Sequence, residues 1–438
     1  MSDASEEIPP PEPALAAAAP LGQRLEAWYR RAFGIAEIEA SRPLRWFYWA
    51  TLLGFFLTYY DWLDERTLTR EAVVEGRHRC WPFFQRCGEW YFLQTPPDGY
   101  SQPILYMVMF ALMGGAALAA RGGRWTLAHA LMVPLFVWKA LVDTVLSMLF
   151  LGNYHYFHLS FAFLLLFARH KLFFLRRALI VLYLLAATIK LHEGWVLGTY
   201  FTSLRTGMPL FPDATVPIFT NLLILVETVG GVLLLSKDRR WQRGALVTLV
   251  LFHLYSGILV RYLYPAMCLP ALLILFGPWY EAAAPPLHRR ALVGWGFLAW
   301  ILGMQSISYL IKGDVKLTLE GNYYGLYMFE ANHQCVSTVL EKHKDGRVRD
   351  RSTESRSARR RCGSYAEWFR LQQLCKKPSV ERVGWTLDHS INGGPFYRIV
   401  DEPDACRLHF APLTHNPWIR LPEEGAKIVG YPAKNIYD

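Results

Sequence analysis

The chain has 438 residues, of which 53% are hydrophobic, 15% aromatic and only 19% charged, against about a quarter charged in a soluble domain. The apolar residues come in long runs, such as Ile104 to Ala120, Ala245 to Phe276 and Ala291 to Leu310, which fit a bilayer and argue against a single soluble globule. The formal charge of +10 falls in short clusters between these runs, so membrane topology accounts for it and no nucleic-acid partner is expected.

In chain order, residues 1–20 are acidic and rich in Pro and Ala, without a basic start and apolar core. They are expected to form a disordered cytoplasmic tail rather than a cleavable signal peptide. Residues 21–42 read as an interfacial segment, with Leu25, Trp28, Phe33 and Ile35 among Arg and Glu making Leu21 to Ile38 an amphipathic helix. Residues 43–311 hold candidate spans near 46–60, 103–120, 126–151, 157–168, 173–189, 217–236, 245–260, 262–277 and 291–311.

Alternate flanks of these spans are basic: Arg42 and Arg45, Arg121 and Arg124, Arg169 and Lys171, Lys237 to Arg243, then Arg289 and Arg290. Those sides, with the N-terminus, are expected to be cytoplasmic. The loops 61–102, 152–156 and 190–216, the turn at Arg261 and the tail from Lys312 then face the periplasm or lumen. Cysteine usage agrees, because disulfides persist on the oxidising side: Cys80, Cys87, Cys335, Cys362, Cys375 and Cys406 all fall outside, and Cys268 lies within a span. The composition alone leaves their pairing open.

Residues 312–438 change character. Val315 to Leu319, Cys335 to Leu340, Val383 to Leu387, Tyr397 to Val400 and Arg407 to Phe410 read as short strands, and Ser364 to Leu374 as a helix. The expected fold is therefore an all-α polytopic membrane domain of eight or nine transmembrane helices, followed by a small C-terminal extramembrane α+β domain.

Ionisable residues at membrane depth are few and usually paired or functional. Lys139 and Asp143 stand four apart and can pair on one helix face, either to orient the helix or to take part in chemistry. Lys190 closes the fifth span, in Thr188-Ile189-Lys190-Leu191-His192-Glu193-Gly194-Trp195. It is either a snorkelling side chain or a partly desolvated amine, neutral and therefore basic. Glu227 interrupts an apolar run and needs a partner on another helix, for which Lys190 is a candidate. His155 falls in a short outer turn and His253 well inside a span, each either a packing residue or a catalyst. Arg261 either attracts an anion or caps the interface. There is no Walker loop, His-Glu-x-x-His pair, Cys-x-x-Cys pair or GxSxG elbow, so phosphate-loop, zinc and serine-hydrolase chemistry has no support and no metal is expected.

Lys190-Leu191 with Trp195, Asn153-Tyr154-His155, Phe252-His253 and Gly325-Leu326-Tyr327 occur in an order that resembles the vitamin K-dependent gamma-carboxylase family, with its membrane domain of the HTTM type. Asp345-Gly346-Arg347, Trp368 to Cys375 and Asp388-His389-Ser390-Ile391-Asn392 extend the resemblance from about Arg42 to Leu421. It implies a shorter, bacterial-like homologue that oxidises vitamin K hydroquinone or a related quinol with O2. The resulting strongly basic oxygenated intermediate would remove a γ-proton from a glutamyl protein or small acid, and CO2 would add. By this resemblance Lys190 deprotonates the quinol, His155 serves the carboxylation step, and His253 matches a further histidine of the family. Trp195 and Glu227 support them, and Tyr327 belongs to the substrate-binding strand. The resemblance also implies a disulfide between Cys80 and Cys375.

The sequence departs from the animal enzymes at Met328-Phe329-Glu330-Ala331-Asn332, at Tyr154 and at Ser256, and stops before their further C-terminal region, so a propeptide-bearing clotting-type substrate is not expected. Two alternatives stand beside the carboxylase. One is a quinol epoxidase without carboxylation; the other is a transporter or structural membrane protein in which Glu227, Lys190 and His253 form a buried polar network.

Overall fold

The computed structural model describes residues 20–64, 79–87, 101–147, 153–260, 263–327, 331–355, 361–421 and 427–430. Residues 1–19, most of the loop 61–102, Arg261 and Met328 to Glu330 lie outside the described residues. Among the described residues, five helical segments are long and apolar enough to cross a membrane: Ile104–Arg121, Trp125–Val145, Asp213–Leu233, Arg239–Leu259 and Arg289–Leu310.

The membrane part begins with α1 (Leu21–Phe33) and α2 (Ile35–Ala40), not one interfacial helix. Gly34 separates them with φ 60°, a left-handed conformation that suits a residue without Cβ and ends α1 with a hydrogen bond back to the Arg30 carbonyl. Then follow α3 (Arg42–Asp64), α4 (Ser101–Arg121), α5 (Trp125–Val145), α6 (Asn153–Phe167) and α7 (Lys171–Thr188). His155 thus stands in the first turn of α6 rather than in a loop. After two short helices, Glu193–Val196 and Thr199–Thr202, come α8 (Val216–Leu225), α9 (Arg239–Val260), α10 (Leu263–Phe276) and α11 (Leu292–Leu310).

α7 is apolar around most of its circumference, which calls for burial on all sides. Phe174, Leu175, Ala178, Leu179, Leu182, Tyr183 and Ala186 are all inaccessible, and Arg176 donates from Nε to the Leu275 carbonyl at the end of α10, 2.8 Å away. The bundle thereby centres on the helix that carries Lys190 at its end. On the outside, Val247, Leu251, Leu254 and Ile258 make an exposed apolar stripe along α9, as expected of a lipid-facing surface.

The C-terminal part holds an antiparallel sheet in the order β2–β1–β4–β5–β6, formed by Val348–Asp350, His333–His343, Val380–Ile391, Phe396–Glu402 and Lys427–Gly430, with β3 (Thr353–Ser355) also on β1. β1 and β4 pair from His333 opposite Ile391 to Lys342 opposite Arg382. The helix α12 (Ser364–Cys375) lays Tyr365, Trp368, Phe369 and Leu371 into the apolar core with Val383, Leu387 and Ile399.

Two expected strands are not strands. Val315–Thr318 is a helical turn, because the Asp314 side chain caps it at Lys316 N. Residues 405–407 form a 3-10 turn capped by Asp404 at Cys406 N, and Leu408 to Phe410 continue without ladder partners among the described residues.

The expected Cys80–Cys375 disulfide is also corrected. Cys80 bonds Cys87, Cys335 bonds Cys362 and Cys375 bonds Cys406, with Cα separations of 5.6, 5.9 and 5.5 Å, each in the span a disulfide bridges. Residues 79–87 still dock on the C-terminal domain, through hydrogen bonds. Tyr365 donates to the Cys80 carbonyl at 2.8 Å, Trp81 Nε1 to the Tyr323 carbonyl at 2.7 Å and Gln85 Nε2 to the Phe410 carbonyl at 2.9 Å.

Candidate functional site

Lys190 lies just beyond α7, where the backbone turns away from the helix. Its side chain folds back to donate to the Ala186 carbonyl at 2.9 Å and to meet Glu227 Oε2 at 2.5 Å. Glu227 is fully buried, the Lys190 side chain is 7% exposed, and the Lys190 ammonium sits 5.5 Å from the Trp195 ring centroid. Trp195 is fixed in turn by donating from Nε1 to the Thr220 carbonyl.

Glu227 reaches this position through a break in its helix. Residues Val226–Gly230 form a single π turn between α8 and a last helical turn at Gly231–Leu233, a distortion common at functional sites. Thr228 donates to the Ile224 carbonyl one turn back, and Gly231 is close enough to α7 that a Cβ would stand 3.3 Å from Tyr183 Cβ. Glu227 Oε1 has no hydrogen-bond partner among the described residues. On α9, His253 is buried and shares a 2.6 Å hydrogen bond between its Nε2 and the Tyr183 hydroxyl.

A second buried cluster lies between α5, α6 and α3. Lys139 Nζ stands 2.8 Å from Asp143 Oδ2 and 2.7 Å from His155 Nδ1, and both acid and base of the helix pair are inaccessible. The Trp62 ring lies 5.3 Å from the ammonium and parallel to the His155 ring. The i, i+4 pairing was legible in the sequence; the recruitment of His155 by it was not, since the 16-residue separation crosses two helices. His155 and Lys190 therefore have different partners, and the expected catalytic residues fall into two clusters rather than one.

The C-terminal sheet abuts the loop that follows Lys190. Asn332 donates through Nδ2 to the Tyr200 carbonyl and to Ser203 Oγ, and exchanges hydrogen bonds with Asn392, N to Oδ1 and N to O, at 2.9 Å each. Gly194 touches this clasp so closely that a Cβ would stand 2.1 Å from Asn392 Nδ2. Tyr327 is buried beside Leu326, whose amide donates to Gln305 Oε1 on α11 at 2.7 Å. Arg261, expected either to attract an anionic substrate group or to cap the interface, lies outside the described residues.

Behind the clasp, His333 Nδ1 and His389 Nε2 are 2.9 Å apart, and His389 Nδ1 lies 2.6 Å from the Leu317 carbonyl. Burial pushes His389 down to about 4 and, with its histidine neighbour, pushes His333 well below the usual imidazole range. Both rings are thus neutral structural groups. His333 had no signal in the sequence, because a buried strand histidine looks like any other polar residue in an alternating run.

Among known proteins, no family model, curated protein or solved structure matches the chain. The resemblance to the carboxylases rests on the motifs quoted for it.

Proposed function

We propose that the chain is a quinol-dependent, carboxylase-like membrane enzyme with Lys190 as its weak base. The observation that supports this reading is the amine itself, buried at the end of the bundle's central helix between an aromatic ring and a carboxyl group, 2.5 Å from Glu227 Oε2. One proton moves along that short contact. With the proton on Glu227, Lys190 is a free amine able to take the hydroxyl proton of a quinol. Glu227 then balances the ammonium that results. Trp195, Tyr200 and Phe201 form an apolar aromatic cluster beside the amine, which fits a flat, apolar ring and excludes water from it. A bound quinol would supply electrons for O2 and the strong base that the protein lacks; CO2 would add at the carbon so deprotonated.

In this reading eight or nine helices cross the membrane, and with nine the N-terminus is cytoplasmic and the C-terminal domain is periplasmic or lumenal. The three disulfides support that orientation, since all six cysteines belong to segments expected outside.

The test supplies the purified protein in lipid with reduced vitamin K, O2, a glutamyl peptide and labelled bicarbonate, and follows epoxide and fixed label separately beside Lys190→Ala. Epoxide with label, both lost in the variant, is the expected result. Epoxide without label favours an epoxidase. A second reading, a non-enzymatic membrane protein, draws on the buried ion-pair contacts Lys190–Glu227 and Lys139–Asp143, each of which also serves to fix helix packing. It predicts no quinol turnover and variants that lose stability alone.

A further inference from the structure

The proton abstraction proposed for Lys190 makes no use of the other buried lysine. Lys139 and Asp143 are wholly inaccessible on α5, while the His155 side chain on α6 keeps 16% of its surface exposed. Two groups approach one ring nitrogen: Lys139 Nζ lies 2.7 Å from His155 Nδ1 and Asp143 Oδ1 lies 3.1 Å from it.

Nδ1 has a single in-plane site and serves one of them. An ammonium only donates and a carboxylate only accepts, so the two contacts demand opposite protonation of the nitrogen. The Lys139 contact is the shorter of the two and is directed as a hydrogen bond, whereas Asp143 Oδ1 stands farther from the nitrogen, at 3.1 Å. Asp143 instead faces the ammonium as its counter-ion, with Oδ2 2.8 Å away. The Trp62 ring on α3 lies parallel to the imidazole, 16° between planes, and the Tyr154 ring lies 5.8 Å from the ammonium. Ring plane and ring partner are therefore both fixed.

We infer that the Lys139–Asp143 pair holds His155 as the tautomer protonated on Nε2, so that its accessible edge offers a hydrogen-bond donor and not a base. The ligand such an edge takes is an oxygen that carries or develops negative charge, in a carboxylate or in CO2. The tautomer is a property of the fold; its use rests on the carboxylase reading. As the electron pair of a γ-carbanion forms a bond to the CO2 carbon, a C–O π pair moves onto oxygen, and the Nε2 hydrogen faces that oxygen without leaving the ring. Lys139 and Asp143 act through His155 and are positioning residues.

The experiment is nitrogen NMR of the full-length protein in lipid, with its histidines labelled in the ring and the His155 signals identified by their loss in His155→Gln. Protonated Nε2 and bare Nδ1 are expected at neutral pH. Lys139→Met removes the donor and moves the proton to Nδ1, toward Asp143; Lys139→Gln, whose amide still donates, keeps it on Nε2. A proton on Nδ1 in the unaltered protein overturns the inference and needs no variant to be seen. An unchanged tautomer in a folded Lys139→Met protein overturns the role of Lys139. In the turnover assay, fixed CO2 per epoxide falls about 100- to 1000-fold in Lys139→Met and returns in Lys139→Gln; an unchanged ratio rejects the use proposed for the donor. Absence of turnover in the unaltered protein defeats the carboxylase reading and leaves the tautomer result standing.

Discussion

Lys190→Met tests whether the central polar pair is a real buried ion pair. The contact is 2.5 Å, Glu227 is fully buried and Lys190 nearly so, and removal of one partner of such a pair costs about 3–5 kcal/mol because the other charge is stranded. Methionine keeps most of the lysine volume, so little of that loss is a cavity; the vanished ammonium–Trp195 contact adds about 0.5–1 kcal/mol. Glu227→Leu strands the lysine in the same way. The double variant Lys190→Met/Glu227→Leu leaves no charge behind and is expected within about 1–2 kcal/mol of the unaltered protein, or above it. The sum of the two single losses then exceeds the double loss by several kcal/mol, which is the signature of coupling. Cys268 supplies the assay. It is fully buried and outside the three disulfides, which hold the other six cysteines, so a thiol-reactive dye reports opening of the bundle on heating. A lowered midpoint in each single variant and recovery in the double is expected. Strictly additive losses, or a single variant as stable as the parent, would refute the pair.

Three further outcomes follow from other parts of the fold. The His389 imidazole titrates near 4 when folded against 6.5 in water, so the unfolded chain binds the extra proton. Its contribution to stability is complete above about pH 6.5 and is lost, by about 3 kcal/mol, as pH falls toward 4; hydrogen exchange of β4 amides, corrected for intrinsic rate, should show the loss, and a flat profile would contradict it. Peptide mapping under non-reducing conditions should recover Cys375 joined to Cys406 across a sequence separation of 31 residues, and the Cys375→Ser/Cys406→Ser variant should lose about 4 kcal/mol in the chain-entropy estimate. A Cys80–Cys375 peptide would reverse the assignment. Gly194→Ala should loosen the Asn332–Asn392 clasp, since the added carbon would stand 2.1 Å from Asn392 Nδ2, at a cost of about 1–3 kcal/mol, read as earlier proteolysis between the sheet and the bundle.

Helix centres were legible because an apolar run of bilayer length has few other uses, and β1, β4, β5 and α12 were legible from alternation and from the Ser364 to Leu374 pattern. The misreadings share a cause. Val315 to Leu319 is apolar enough for a strand, yet Asp314 captures the Lys316 amide and turns the backbone. Gly34 splits the interfacial helix through a conformation that hydrophobic periodicity does not register. Single side-chain-to-backbone bonds and single glycines decide such short segments, and their effect is invisible to a count over many residues.

The same distinction explains which polar partners could be named. Lys139 and Asp143 are joined by helix geometry alone, because four residues along one helix bring side chains to the same face. Lys190 and Glu227 are joined by elimination, because a carboxyl group in Leu222 to Glu227 has no charged neighbour in its own segment and must look to another helix. His155 offered neither route: its partners lie on the preceding helix, and its place in the outer turn gave no reason to expect a buried contact. The extension of α6 to Asn153 changes that. It converts the Asn153-Tyr154-His155 turn into the first turn of a helix packed against α5, and thereby carries the imidazole from the solvent side to the Lys139 ammonium. The chemistry open to His155 is thus set by where one helix starts.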